Sequence, residues 1–140
     1  MYLLDTNIVS ELRKAKAGKA NKNVKAWGES VSATSLYLSA IAILELEMGV
    51  LLIERRDPLQ GKMLRTWLDD YVLPAFSERI LAVDTAVARR CAKLHVPNRP
   101  SDRDALIAAT ALVHGMAIVT RNVADFEPTG VEVFNPWGEE

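Results

Sequence analysis

Short apolar runs recur along this chain, each separated from the next by a stretch with helical periodicity, and this alternation constrains the fold more than any other feature. The runs are Tyr2–Leu4, Leu36–Ser39, Ile80–Val83, Met116–Val119 and Val131–Phe134. Most lack the in-out alternation of a half-exposed strand, which marks strands covered on both faces. Strands separated by helices are joined by crossovers and therefore run parallel. The pattern predicts an α/β fold: a three-layer α/β/α domain over residues 1–140 with a mostly parallel five-stranded sheet.

The intervening helices carry their own punctuation. A short helix is expected from Ile8 to about Leu12, another around Trp27, and a longer one from Ala42 to about Arg55. Pro58 fits the first turn of a helix running to a break at Pro74. Asp84-Thr85 is a good cap for the helix carrying Val87, Cys91 and Leu94. Gly115 should stop the helix that starts at Asp104. That last helix is apolar on nearly every side, so it should be buried against the sheet.

Composition narrows the partners. With 17 Lys+Arg against 18 Asp+Glu the formal net charge is -1, which excludes binding to nucleic acid or membranes by charge alone. A chain of 140 residues buries roughly two thirds of its unfolded surface, and 49% hydrophobic residues suffice for one core. The sole cysteine, Cys91, has no partner for a disulfide and reads as a small buried residue in a reducing compartment, which favours the cytoplasm. No apolar run reaches the length of a membrane span, and the start at Met1 lacks a basic-then-apolar leader, so no anchor or targeting extension is expected.

In an open parallel sheet, ligands bind beyond the carboxyl ends of the strands. Asp5 follows the first strand, Glu45 lies early in the helix after the second, Asp104 opens the helix before the fourth, and Asn122 and Asp125 follow the fourth. Carboxylates gathered there repel one another by several kcal/mol at an effective dielectric near about 20, so a cation should compensate them. Oxygen ligands without His or Cys suit Mg²⁺ or Mn²⁺ rather than zinc. Taken singly, Asp5, Asp102 and Asp104 also suit helix caps, and Glu45 and Glu47 suit solvated helix positions. His95 and His114 read as surface or helix-end histidines.

Four segments in order, Asp5-Thr6-Asn7, Ser39 through Glu45-Leu46-Glu47-Met48-Gly49, Asp104 through Ala111, and Val119 through Phe126, with a closing Val133-Phe134-Asn135-Pro136-Trp137, resemble PIN-domain proteins over nearly the entire chain. Within that superfamily the chain looks most like the VapC-type toxins of toxin-antitoxin modules, with the FitB-like subgroup close. The resemblance implies a Mg²⁺-dependent endoribonuclease, dimeric and inhibited by a cognate antitoxin, that reaches DNA only through that antitoxin.

By the same resemblance, Asp5 and Asp104 bind the metal, and Glu45 is the motif's further acid. The family often has Thr where Ala42 stands and an acid where Asn122 stands. The fourth position therefore falls either to Asp125 or to Asn122 holding a metal-bound water. Thr6, Asn7, Ser39 and Thr120 are expected to hydrogen-bond the carboxylates, or to serve ordinary turns. Asp102, two residues from Asp104, is expected to be a cap or an outer partner, because a two-residue step turns a helical side chain about 200° away. Arg121 could hold a phosphate, and Lys14, Lys16, Lys19, Lys22 and Lys25 could guide RNA or contact an antitoxin. An apolar surface between Leu44 and Tyr71 could seat an antitoxin or a second subunit, or be buried in the core. The alternative function is a catalytically idle PIN-like module holding a DNA-binding antitoxin on its operator.

Overall fold

The computed structural model describes residues 1–138; Glu139 and Glu140, the end of the expected 1–140 domain, lie outside the described residues. Five parallel strands form one sheet in the order β3-β2-β1-β4-β5: β1 (Tyr2–Leu4), β2 (Leu36–Ser39), β3 (Ile80–Leu81), β4 (Ala117–Val119) and β5 (Val133–Phe134). The helices are α1 (Thr6–Arg13), α2 (Lys22–Ser30), α3 (Ala40–Arg56), α4 (Pro58–Thr66), α5 (Leu73–Ala75), α6 (Thr85–Leu94), α7 (Asp102–His114) and α8 (Val123–Phe126). This is the expected three-layer α/β/α arrangement, with the sheet wholly parallel.

The alternation of side chains along each strand sorts the core into two faces. Leu4, Leu36, Leu38 and Val119 pack with Ile8, Val9, Leu46, Val50 and Leu68, the layer of α1 to α4. Leu3 and Ile118 pack with Ile107, Ala108, Ala111 and Phe126, the layer of α7 and α8. Each fully buried Leu, Ile or Phe contributes roughly 1.5–3 kcal/mol. In α7, Ala105, Ile107, Ala108, Ala109, Thr110 and Ala111 are all buried, as an all-round apolar helix requires. Gly115 ends it in the left-handed conformation, at φ 66°.

Several boundaries differ from expectation: α1 begins at Thr6 rather than Ile8, α7 at Asp102 rather than Asp104, and β4 at Ala117 rather than Met116. The third strand ends at Leu81 rather than Val83, and the fifth begins at Val133 rather than Val131. Both are edge strands, with a parallel partner on one side only. The chain also stays helical through Pro74. A π-helical turn at Trp67–Val72 precedes it, with the Leu73 N–H donating to the Leu68 carbonyl, and this wider turn accommodates a residue that has no N–H. Where α3 and α4 cross, a Cβ on Gly61 would lie 2.5 Å from Glu54 Cα, so only glycine permits this approach.

Candidate active site

Asp5 stands where β1 gives way to α1 and caps that helix. Its Oδ1 accepts the Thr6 backbone N–H at 2.8 Å. Its Oδ2 accepts the Thr120 hydroxyl at 2.8 Å and the Asn7 amide at 3.4 Å. Thr120 itself follows β4 and is fully buried, so a residue 115 positions away fixes the Asp5 carboxylate. The Asn7 amide also reaches Thr120 Oγ1 at 3.3 Å, and the same oxygen accepts the Asn122 backbone N–H at 2.9 Å. Thr6 uses its hydroxyl in the other direction, donating to Glu45 Oε1 at 2.7 Å.

Glu45 and Asp104 arrive from α3 and α7. Glu45 Oε2 lies 3.7 Å from the Arg103 guanidinium. These side chains open onto one cavity of about 420 Å³, walled by Asp5, Thr6, Asn7, Glu45, Asp104, Arg121 and Asn122, with Ser10, Glu11, Lys14 and Trp137 completing it. Burial pushes the Asp5 carboxyl above the usual carboxylate range. The charges of Glu45 and Asp125 push the same way, against the hydrogen bonds from Thr120 and Thr6. Asp104 is raised by burial first and then by Asp125, Asp5 and Glu45, with Arg103 opposing. Each carboxylate therefore feels the others, and the site holds more negative charge than its own cations offset.

A family model described as "PIN domain" matches residues 2–128 of this chain. The chain belongs to the PIN-domain family. It is 39% identical over 146 residues to the toxin FitB of Neisseria gonorrhoeae, spanning 98% of this chain and 99% of that protein. Over 145 residues it is 37% identical to the VapC ribonuclease Y4jK of Sinorhizobium fredii, spanning 98% of each. Among solved structures, a chain of FitAB bound to a DNA fragment matches with a TM-score of 0.89 at 35% identity, covering 100% of this chain and 98% of that one.

Within this PIN domain the expected residues do not all converge. Asp5, Thr6, Asn7, Glu45, Asp104, Arg121, Asn122 and, through Asp5, Thr120 form one cluster. Asp125 is exposed on α8 and stands off the cavity wall, yet its charge reaches both Asp5 and Asp104. Ser39 does not join the carboxylates; its hydroxyl accepts the Ala42 N–H at 3.1 Å and caps α3, because the strand ends there and the helix needs an acceptor. Asp102 neither caps by side chain nor supports the site. It faces His95 Nε2 at 3.0 Å and Arg99 at 3.2 Å, as expected when a two-residue step along a helix turns a side chain about 200° away. Of the basic stretch, Lys14 alone lines the cavity.

Sequence reasoning missed Glu11, Ser10 and Trp137 as cavity residues, and Arg103 as a neighbour of Glu45. The first had a usable signal, since Asn7, Glu11 and Lys14 follow helical spacing from the first motif. Glu11 holds the Asn21 N–H at 2.8 Å, and that bond is the main reason its carboxyl titrates below the usual range. Arg103 and Trp137 meet the site through long-range packing that no local pattern announces.

The donor set fits a hard, hydrated cation. Among the described residues no three His, Cys, Asp or Glu side chains form a ready-made metal cage. Mg²⁺ commonly keeps several waters and takes one or two carboxylates, so Asp5 and Asp104 beside a polar cavity suit it better than they would suit zinc.

Proposed function

We propose that this PIN domain is the toxin of a toxin-antitoxin module, a cytoplasmic Mg²⁺-dependent endoribonuclease that hydrolyses RNA phosphodiester bonds and is silenced by a cognate antitoxin. The observation that carries the reading is the gathering of Asp5, Glu45 and Asp104 in one cavity at the carboxyl edge of the sheet, with charge left uncompensated. The names of the relatives, a VapC ribonuclease and the FitB toxin, point the same way.

Asp5 and Asp104 would hold Mg²⁺, with Mn²⁺ as a substitute. The ion, when bound, neutralises charge on the scissile phosphate and acidifies water. Thr120, Thr6 and Asn7 fix the Asp5 carboxylate in one orientation, so little reorganisation is needed when substrate arrives. Glu45, held by Thr6 and approached by Arg103, orients the attacking water and takes its proton. Asp125 adds charge from outside the cavity wall and would favour a further ion there, while Asn122 would bind water at the wall. Lys14 and Arg121 hold substrate phosphates.

The exposed apolar side chains of α3 and α4, Leu44, Met48, Leu51, Leu52, Leu59 and Met63, form the surface for a second subunit in a homodimer. Contact with DNA would be indirect, through the antitoxin; FitAB bound to a DNA fragment is the solved parallel. No helix among the described residues is long and apolar enough to cross a membrane.

The test is cleavage of structured RNA by purified, antitoxin-free protein with Mg²⁺ and with EDTA. Cleavage should require the metal and vanish in Asp5→Asn and Asp104→Asn. Metal binding with no RNA cleavage would instead favour the idle interaction module.

A further inference from the structure

Trp137 closes the chain's last motif, and the chemistry above makes no use of it. It forms one wall of the carboxylate cavity, and the Arg121 guanidinium lies 5.4 Å from its ring centroid. The residue is anchored through its main chain. Its backbone N–H donates to Asn135 Oδ1 at 2.9 Å, and its carbonyl accepts the Asn23 amide of α2 at 3.0 Å. It is partly buried against the core layer of α1 to α4. A flat, rigid, aromatic group joined to a cation therefore stands at the rim of a site whose floor is acidic.

We infer that Trp137 and Arg121 form a shelf on which an unpaired nucleobase of the substrate stacks, next to the phosphate presented to Asp5 and Asp104. This rests on the nuclease reading and deepens it, because it names two residues that would position the substrate beside the carboxylates. Three observations converge on it. The chain's net charge of -1 gives it little general attraction for a polyanion, so affinity must come from specific contacts. Among the described residues, the cations on the cavity wall are Lys14 and Arg121, and Arg121 lies against the indole. Bases stack on aromatic rings and on arginine planes, but only when they are unpaired, since a base in an A-form duplex has both faces covered.

The experiment measures binding of a labelled short single-stranded RNA by fluorescence anisotropy in Mg²⁺. The full chain carries Glu45→Gln, which keeps Asp5 and Asp104 and leaves the strand intact. Against this host, Trp137→Ala should weaken binding by about five- to a hundredfold, the range expected for losing one base-aromatic stack. Trp137→Phe should recover most of the affinity and Trp137→Leu should not, although both keep an apolar side chain against the core. The same strand annealed to its complement should bind weakly to the host and be indifferent to residue 137.

Failure of the host to bind the single strand, equal binding by host and Trp137→Ala, or equal rescue by Leu and Phe would each overturn the shelf. Cleavage by the unsubstituted chain is a separate readout. Aromatic-dependent binding without cleavage would sink the nuclease reading alone, whereas Mg²⁺-dependent cleavage with no dependence on residue 137 would sink the shelf alone.

Discussion

Helix α3 sends two glutamates into two different acidic neighbourhoods, and their contrast shows what the site is built to do. Glu47 meets Arg65, which donates to both of its oxygens at 2.8 and 2.6 Å and also reaches Glu54 at 3.2 Å and Asp69 at 3.6 Å. These acids carry their own counter-charge, and the Arg65 hydrogen bonds hold the Glu47 carboxyl below the usual carboxylate range. Two residues earlier, Glu45 joins Asp5 and Asp104, where burial and mutual repulsion hold Asp5 and Asp104 above it. Arg103, at 3.7 Å, is a partial offset. One cluster is organised around an arginine of the chain itself, whereas the other, in the function proposed above, would take a cation from outside it.

That difference can be broken in order of expected effect. Asp104→Asn or Asp5→Asn should reduce Mg²⁺-dependent RNA cleavage by more than about a hundredfold, beyond the ten- to hundredfold typical of partners behind the ligands. Arg65→Met should leave the rate per folded molecule unchanged while lowering the Tm, because it strips the counter-charge from three carboxylates. A large loss of cleavage in Arg65→Met at constant folding would mean that the two clusters are one unit.

Single acids should then move stability in opposite directions in EDTA. The pKa of folded Asp104 is raised, so its contribution is fully present below its unfolded pKa and is lost as pH rises through the folded value. At pH 7 the buried charge is a penalty, and Asp104→Asn should raise the Tm by about 2 °C, a gap that closes on acidification. Glu47 is lowered, so its contribution is present above its unfolded pKa and is lost as pH falls through the folded value. Glu47→Gln should therefore lower the Tm at pH 7, and by less in high salt, given the exposure of the pair. Thermal melts across pH read both signs.

The smallest effect concerns Asp102. Asp102→Asn should leave cleavage nearly unchanged, but His95 should titrate lower. The Cys91 carbonyl and then Asp102 raise the His95 pKa in the folded protein. A proton NMR titration of His95 measures the shift, and a cleavage loss equal to that of Asp104→Asn would reverse the register of α7.

How much of this was legible depended on distance along the chain. Strand β2 and the caps of α6 and α7 were readable because a strand end, a capping Asp84 and a terminal Gly115 are local events. The acids at 5, 45 and 104 could be placed because a parallel sheet brings its strand ends to one edge. Edge strands and Pro74 were misjudged where local competition decided them, with the π-helical turn rescuing the proline, while of the two roles open to Ser39 the helix end claimed its hydroxyl for the local one. Arg103 beside Glu45 and Trp137 beside Arg121 come from contacts of 58 and 16 positions, which periodicity does not encode.

The central claim, an acidic site completed by an added cation, is tested most directly by a Mg²⁺ titration of the Tm after EDTA treatment. Binding to the folded state should raise the Tm of the unsubstituted protein with rising Mg²⁺, and Asp104→Asn should abolish that rise while Glu47→Gln preserves it. A Tm indifferent to Mg²⁺, or an equal rise in Asp104→Asn, would contradict the account.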